Sequence, residues 1–316
     1  MNVIDINQKE LDQLKPQQIQ TIYDHVKMRE EYMDYAKNLQ GSKVYTGFPE
    51  LDSKMNGIRP GEVVTILAPT NTGKSAMAMN LLYNSASQDS GLVFYFSTEL
   101  SNNDIFERFV QLHFNLDVTE VENIYAIGNT EKDSMIVKVI ETVSNVYCVI
   151  KKINPVDIPK FVQFIAEQSG RKARLIIIDH LQGMKLPKMI NKAEALDETM
   201  QYTKEIALHS KLPIILTAHV SRDQAKQKEL SIYSGKGSGE IENSSQILFT
   251  LENLRELPDD CKPDLQHNIF SDWKLGSIEI LRLTAHKTKR GKYKETWLQL
   301  DNRSLKIQEL IMPKTF

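Results

Sequence analysis

Cysteine is nearly absent. Cys148 and Cys261 are the whole supply, and their separation matches no metal-binding spacing. That gives no support to a zinc module or a disulfide framework, and it fits a reduced, cytoplasmic setting. No apolar run is long enough to span a bilayer, and no basic n-region marks a signal peptide, so no membrane partner is expected. An excess of positive charge is missing too: 39 Lys and Arg stand against 41 Asp and Glu, a formal net charge of −2. A chain that coats duplex DNA through charge alone is usually basic. Any nucleic-acid site must therefore be a local basic surface, such as loops gathered in a channel. Neither a solenoid-length repeat nor a low-complexity tract is visible. What is there is an ordinary globular composition, 41% hydrophobic and 25% charged over 316 residues, enough for one large domain or two small ones.

The densest signal is Val63-Val64-Thr65-Ile66-Leu67-Ala68-Pro69-Thr70-Asn71-Thr72-Gly73-Lys74-Ser75. It begins as a β-branched apolar run, which reads as a buried strand, and turns through small residues. Ala76 to Leu82 then reads as a helix. Strand, loop, Gly-Lys-Ser and helix make up the P-loop arrangement. Loop N–H groups and the positive end of the following helix cradle phosphates. Lys74 reaches the β- and γ-phosphates of ATP, and the Ser75 hydroxyl ligates Mg²⁺. The nucleotide-binding expectation therefore covers Ala68, Pro69, Thr70, Asn71, Thr72, Gly73, Lys74, Ser75 and Ala76. The first glycine of the motif is Ala68 here, which is tolerable if that residue keeps an ordinary backbone conformation.

Upstream, residues 1–44 form an N-terminal segment in which a helix is expected from Pro16 to the Gly41-Ser42 stop. Its apolar residues fall on two faces: Ile19, Ile22, Tyr23, Val26 and Met33 on one, Met28, Tyr32, Tyr35 and Leu39 on the other. Such a helix packs on its own domain or docks on a neighbouring subunit. Residues 45–316 read as an α/β domain. Leu92–Phe96 is a buried strand that ends in Ser97-Thr98-Glu99, where a carboxylate beside a P-loop could hold the attacking water. Helices are expected at Ser101–Leu116, with Ser101 and Asp104 as a capping box, and at Glu131–Val143, Lys160–Gln168 and Lys192–Ser210. Leu175-Ile176-Ile177-Ile178-Asp179-His180 reads as a Walker B strand, with Asp179 supporting Mg²⁺ through its water shell. Pro213–His219 is a further buried strand that leaves His219 at the carboxyl edge, near the γ-phosphate, with Arg222 close behind. The glycine-rich stretch Lys236-Gly237-Ser238-Gly239 is a plain linker or a contact to a DNA backbone. After a strand at Ile247–Leu251, Glu252–Leu275 reads as a polar excursion. Ile278–Leu283 alternates as a half-exposed strand does, and Glu295–Leu300 returns as its partner. The tip between them carries Lys287, Lys289 and Arg290, either as a solvated turn or as cations that reach a neighbour's γ-phosphate.

Taken together, Thr46-Gly47-Phe48 with Leu51-Asp52, the P-loop, Phe96-Ser97-Thr98-Glu99-Leu100 and Asp179-His180-Leu181-Gln182 resemble the motor domain of DnaB-type replicative helicases, within the RecA-like ATPases. The resemblance covers about Tyr45 to Asp301. It implies a RecA-like fold with a mostly parallel sheet behind a linker helix, and a hexameric ring that hydrolyses ATP while moving on single-stranded DNA. The family itself uses Ala at the first P-loop glycine. It implies Glu99 as the catalytic glutamate, His219 in place of the usual sensor Gln, His180 in place of a more frequent Tyr, and Arg222 as a family arginine. It also implies that Ser238-Gly239-x-Ile241-Glu242 touches DNA, with Lys236 and Gly237 replacing an arginine and a glutamate. Lys287 with Lys289 or Arg290 would then act in trans. The family's N-terminal domain has no counterpart in this sequence, which suggests a phage or mobile-element helicase, or a motor served by a separate primase or loader. A DNA-dependent ATPase that acts in recombination or loading without unwinding is the alternative.

Overall fold

The computed structural model describes residues 24–88, 91–126, 130–185, 191–220, 230, 238–259, 262–263, 265–289 and 294–310. They fall into two compact units, divided between Lys43 and Val44. In the first unit, Asp24 caps helix α1 (His25–Ser42) by accepting from the Lys27 N–H at 2.8 Å. No residue of α1 is buried, and Val26, Met28, Tyr32 and Met33 are exposed. The expected start at Pro16 lies outside the described residues.

The second unit runs α2 (Pro49–Met55), β1 (Val63–Ala68), α3 (Lys74–Gln88), β2 (Leu92–Ser97), α4 (Asn102–Phe114), α5 (Val118–Ala126) and α6 (Thr130–Thr142). It continues with β3 (Val146–Ile150), α7 (Ile158–Ser169), β4 (Ala173–Asp179), α8 (Lys192–Ser210), β5 (Ile214–His219) and α9 (Ser238–Ser244). The last elements are β6 (Ile247–Asn253), α10 (His267–Leu275), β7 (Ile278–Lys287), β8 (Glu295–Asp301) and β9 (Ile307–Glu309). All strands join one nine-stranded sheet in the order β3-β2-β4-β5-β1-β6-β7-β8-β9. The run from β3 to β6 is parallel, and β7 to β9 are antiparallel. The sheet is thus mostly parallel, as expected.

Strand side chains alternate between the two faces, and both faces are covered. Val64, Ile66, Val93, Tyr95, Leu175 and Ile177 share one core with Met77, Leu81 and Phe109. Val63, Leu67, Phe94, Phe96, Ile176 and Ile178 share the other with Leu196, Met200 and Val162. Burial on both faces explains why these strands read as unbroken apolar runs. The capping box at the start of α4 forms as expected: Ser101 Oγ accepts from the Asp104 N–H, and Asp104 accepts from the Ser101 N–H.

Several expectations need correction. The half-exposed reading of β7 fails, because Ile280, Leu281, Arg282 and Leu283 are all buried. Arg282 is accommodated there by an ion pair to the buried Glu252 at 3.1 Å. Glu252 and Asn253 extend β6, and α10 occupies part of the expected polar excursion. Helix α5 and strand β9 add to the expected elements. Ser238 and Gly239 are not loop residues but open α9. Lys236, Gly237, Arg222 and Arg290 lie outside the described residues.

Candidate active site

A parallel sheet places the carboxyl ends of its strands on one edge, where ligand sites gather. Here the register sets Ala68 of β1 beside His219 of β5, and Ser97 of β2 beside Asp179 of β4. Ala68 belongs to the strand and does not take a positive φ, so its methyl costs nothing. The loop concentrates its unusual backbone at Asn71 (φ 65°) and Gly73 (φ 91°), the latter a conformation that favours glycine. Space is not what calls for glycine at 73, since an added Cβ would meet Leu300 and Leu281 at ordinary contact distances of 3.5 and 3.7 Å.

The loop, Glu99, Arg108 and His219 line a cleft of about 490 Å³, together with Asn253, Glu279, Leu281, Leu300, Asn302 and Leu305. Lys74 is buried, and its Nζ donates to the Pro69 carbonyl at 2.6 Å. Burial draws its ammonium below the ordinary lysine range, and the charges of Glu99 and Asp179 oppose that shift. The Thr72 hydroxyl is buried with no hydrogen-bond partner among the described residues. A buried donor of this kind, flanked by a lysine and loop N–H groups, suits a phosphate oxygen.

Asp179 is 1% exposed and uses both carboxylate oxygens within the fold. Oδ2 accepts from the Tyr95 hydroxyl at 2.9 Å, and Oδ1 from Thr217 at 2.7 Å. Burial, and next the nearby Asp179 charge, push the Tyr95 phenol well up, so it stays a donor. An oxygen-only donor set already tied down in this way fits Mg²⁺ held through water better than direct ligation.

Glu99 lies just beyond β2. Its Oε1 is 3.2 Å from His180 Nε2 and 3.9 Å from His219 Nε2. The two imidazoles meet edge-on, with ring centroids 4.2 Å apart. Burial holds His180 below the ordinary histidine range; Glu99 and Asp179 oppose this, and Lys74 adds to it. His219 is fixed from behind: the Gln182 amide accepts from its N–H at 3.1 Å and donates to its carbonyl at 3.4 Å.

Gly183 is packed beneath this corner. A Cβ there would sit 2.2 Å from Thr98 Oγ1 and 3.3 Å from His180 Nδ1. Gly183→Ala is therefore expected to displace the Thr98-Glu99 turn, lowering ATP turnover while nucleotide affinity stays unchanged. Steady-state kinetics beside equilibrium titration with a fluorescent nucleotide would separate the two.

Of the expected site residues, the P-loop, Glu99, Asp179 and His219 come together. Lys287 and Lys289 are not in their own chain's cleft. Lys287 Nζ instead donates to the Glu242 carbonyl of α9 at 2.5 Å, and Lys289 is exposed. Sequence reading missed Tyr95, Thr217, Arg108 and the positioning role of Gln182. Tyr95 and Thr217 sit within apolar runs and read as core. Nothing in the spacing of α4 marks Arg108.

The chain resembles known proteins over most of its length. It is 23% identical to the replicative DNA helicase DnaB of Haemophilus influenzae, covering 74% of this chain and 51% of that protein. With the Mycoplasma genitalium protein of the same name the identity is 24%, covering 86% and 58%. The chain thus spans little more than half the length of these relatives. The fold matches a DnaB-like replicative helicase whose structure was described with its interactions with primase, at a TM-score of 0.72, 17% identity and coverage of 92% and 68%. It also matches a second solved structure, described as an ATPase domain, at a TM-score of 0.71, 18% identity and coverage of 90% and 97%. With the family model for the DnaB-like helicase C-terminal domain matching residues 43–308, the chain belongs to that family.

Proposed function

We propose that this chain is the motor of a replicative DNA helicase that hydrolyses ATP and moves along single-stranded DNA as a hexameric ring. The observation that carries the reading is the joint placement of Glu99, Lys74 and His219 around one cleft of about 490 Å³, with Asp179 buried at the adjacent strand end. Lys74, Thr72 and the loop N–H groups bind the phosphates. Ser75 and Asp179 hold Mg²⁺, which supplies charge neutralisation on the phosphate oxygens. Glu99 orients the attacking water and takes its proton. His219, held by Gln182, donates to the γ-phosphate.

Lys287, with Lys289 or Arg290, completes the site of a neighbouring subunit and stabilises charge as it develops. The anchoring of Lys287 on the Glu242 carbonyl ties this tip to α9. The stretch Lys236-Gly237-Ser238-Gly239 and the start of α9 then track the DNA backbone. A primase or loader is a fitting partner, since one structural neighbour was described with primase. No described helix is long and apolar enough to cross a membrane, and the proposed setting is the cytoplasm.

The test is ATP turnover with and without single-stranded DNA, followed by strand displacement on a forked duplex. Turnover is expected to rise on adding DNA, and the fork to open only with ATP present. Turnover indifferent to DNA would remove the helicase reading. Stimulation without displacement would leave a DNA-dependent ATPase that does not unwind.

A further inference from the structure

We propose that Glu99, His180 and His219 form a binding site for a borderline-soft divalent ion such as Zn²⁺, separate from the Mg²⁺ site, and that this ion switches hydrolysis off. The three side chains come from the ends of β2, β4 and β5. Among the described residues, their ligand atoms form a group in which all lie within 4.8 Å of one another. The absence of any cysteine spacing gave no hint of it, because histidines 39 residues apart (180 to 219) meet only through the sheet order.

The distances suit the ion. Zinc bonds of about 2.0–2.1 Å in a tetrahedron set donor atoms roughly 3.3 Å apart. His180 Nε2 already lies 3.2 Å from Glu99 Oε1. The 3.9 Å gap to His219 Nε2 closes with a shift of roughly half an ångström, within reach of a Glu99 side chain that is 45% exposed. The imidazoles are held in place on the protein side. His180 is 9% exposed, and the Gln182 amide fixes the His219 backbone.

Two imidazoles and a carboxylate select against hard, oxygen-seeking Mg²⁺. Three protein ligands leave a fourth position for water, and the cleft provides a path to it. The consequence for hydrolysis rests on the proposed role of Glu99: a metal on Oε1 draws charge from the whole carboxylate and makes it a much weaker base toward water. Binding of the ion does not depend on that role.

The probe is Co²⁺, whose four-coordinate complexes absorb strongly in the visible, titrated into untagged full-length protein. Wild type is expected to develop these bands, to saturate at a single ion per chain, and to lose them on adding Zn²⁺. His219→Gln and His180→Gln are expected to abolish the bands while their thermal melting curves and far-UV circular dichroism show an intact fold. Zn²⁺ at the concentration that displaces Co²⁺ is expected to stop ATP turnover in wild type. No bands in wild type, or bands unchanged in both variants, would overturn the site and leave the role of Glu99 untouched. Binding without inhibition would overturn the switch.

Discussion

Glu99→Gln is expected to lower ATP turnover by about 10²–10⁴-fold, the usual contribution of a positioned general base. The substitution is nearly isosteric. It keeps a hydrogen-bonding oxygen beside His180 and His219 but removes the ability to accept a proton. The side chain is 45% exposed and the fold leans on it little, so global stability should stay within about 0.5 kcal/mol. Nucleotide affinity should also survive, because the proposed phosphate-binding groups are Lys74, Thr72 and backbone N–H groups. The charge removed supports the ammonium of Lys74, but Asp179 continues to do so. Single-turnover hydrolysis beside equilibrium binding of a fluorescent nucleotide separates the two quantities. Retention of most wild-type turnover would mean that the proton goes elsewhere, and equal losses in binding and hydrolysis would make Glu99 a structural residue. A binding-competent variant without turnover is also the right form in which to look for a ring on single-stranded DNA, since the complex then cannot cycle.

Much of this site was legible because local chemistry is written locally. The P-loop spans Ala68 to Ser75, and its strand and helix are each a continuous pattern. The acidic ends of β2 and β4 show in the sequence because an apolar run stops at a polar residue. The fold class was readable for the same reason: each strand from β1 to β6 that is buried on both faces makes an unbroken apolar run. What could not be read depends on which strands become neighbours. Tyr95 and Thr217 act as donors only because β2 and β5 flank β4. The Glu99–His180–His219 group depends on the same adjacency. Arg282 read as the exposed position of a half-buried strand. It is buried because β6 places Glu252 opposite it, a pairing 30 residues distant in sequence. Helix α10 was hidden in a polar stretch, since a short helix whose Phe270 and Leu275 remain exposed leaves a weak periodic signal.

The second large effect is expected at Asp179. Asp179→Asn changes one oxygen to an amide nitrogen in a site where both oxygens accept from hydroxyls, Tyr95 on one side and Thr217 on the other. Only one of those hydroxyls can keep an oxygen acceptor. The other is left facing an N–H in a buried place, at a cost of about 1–3 kcal/mol. The variant also removes the negative charge proposed to support Mg²⁺, which opposes the neutralisation of Lys74 as well. Turnover should therefore fall by roughly 10²–10³-fold, the scale of a lost preorganised electrostatic partner. The two contributions can be separated by comparison with Tyr95→Phe. That change also disturbs the buried network, but it leaves the carboxylate charge in place. If Asp179 acts through the metal, raising Mg²⁺ should recover part of the Asp179→Asn turnover, and Tyr95→Phe should show a lowered melting temperature with little change in its Mg²⁺ requirement. If Asp179 is only a structural acceptor, the two variants should lose turnover in proportion to stability, and added Mg²⁺ should rescue neither. The separation matters because the sequence pattern alone fits both cases: a buried strand that ends in Asp serves as a cap as readily as a metal support, and the hydroxyls on both of its oxygens are compatible with either.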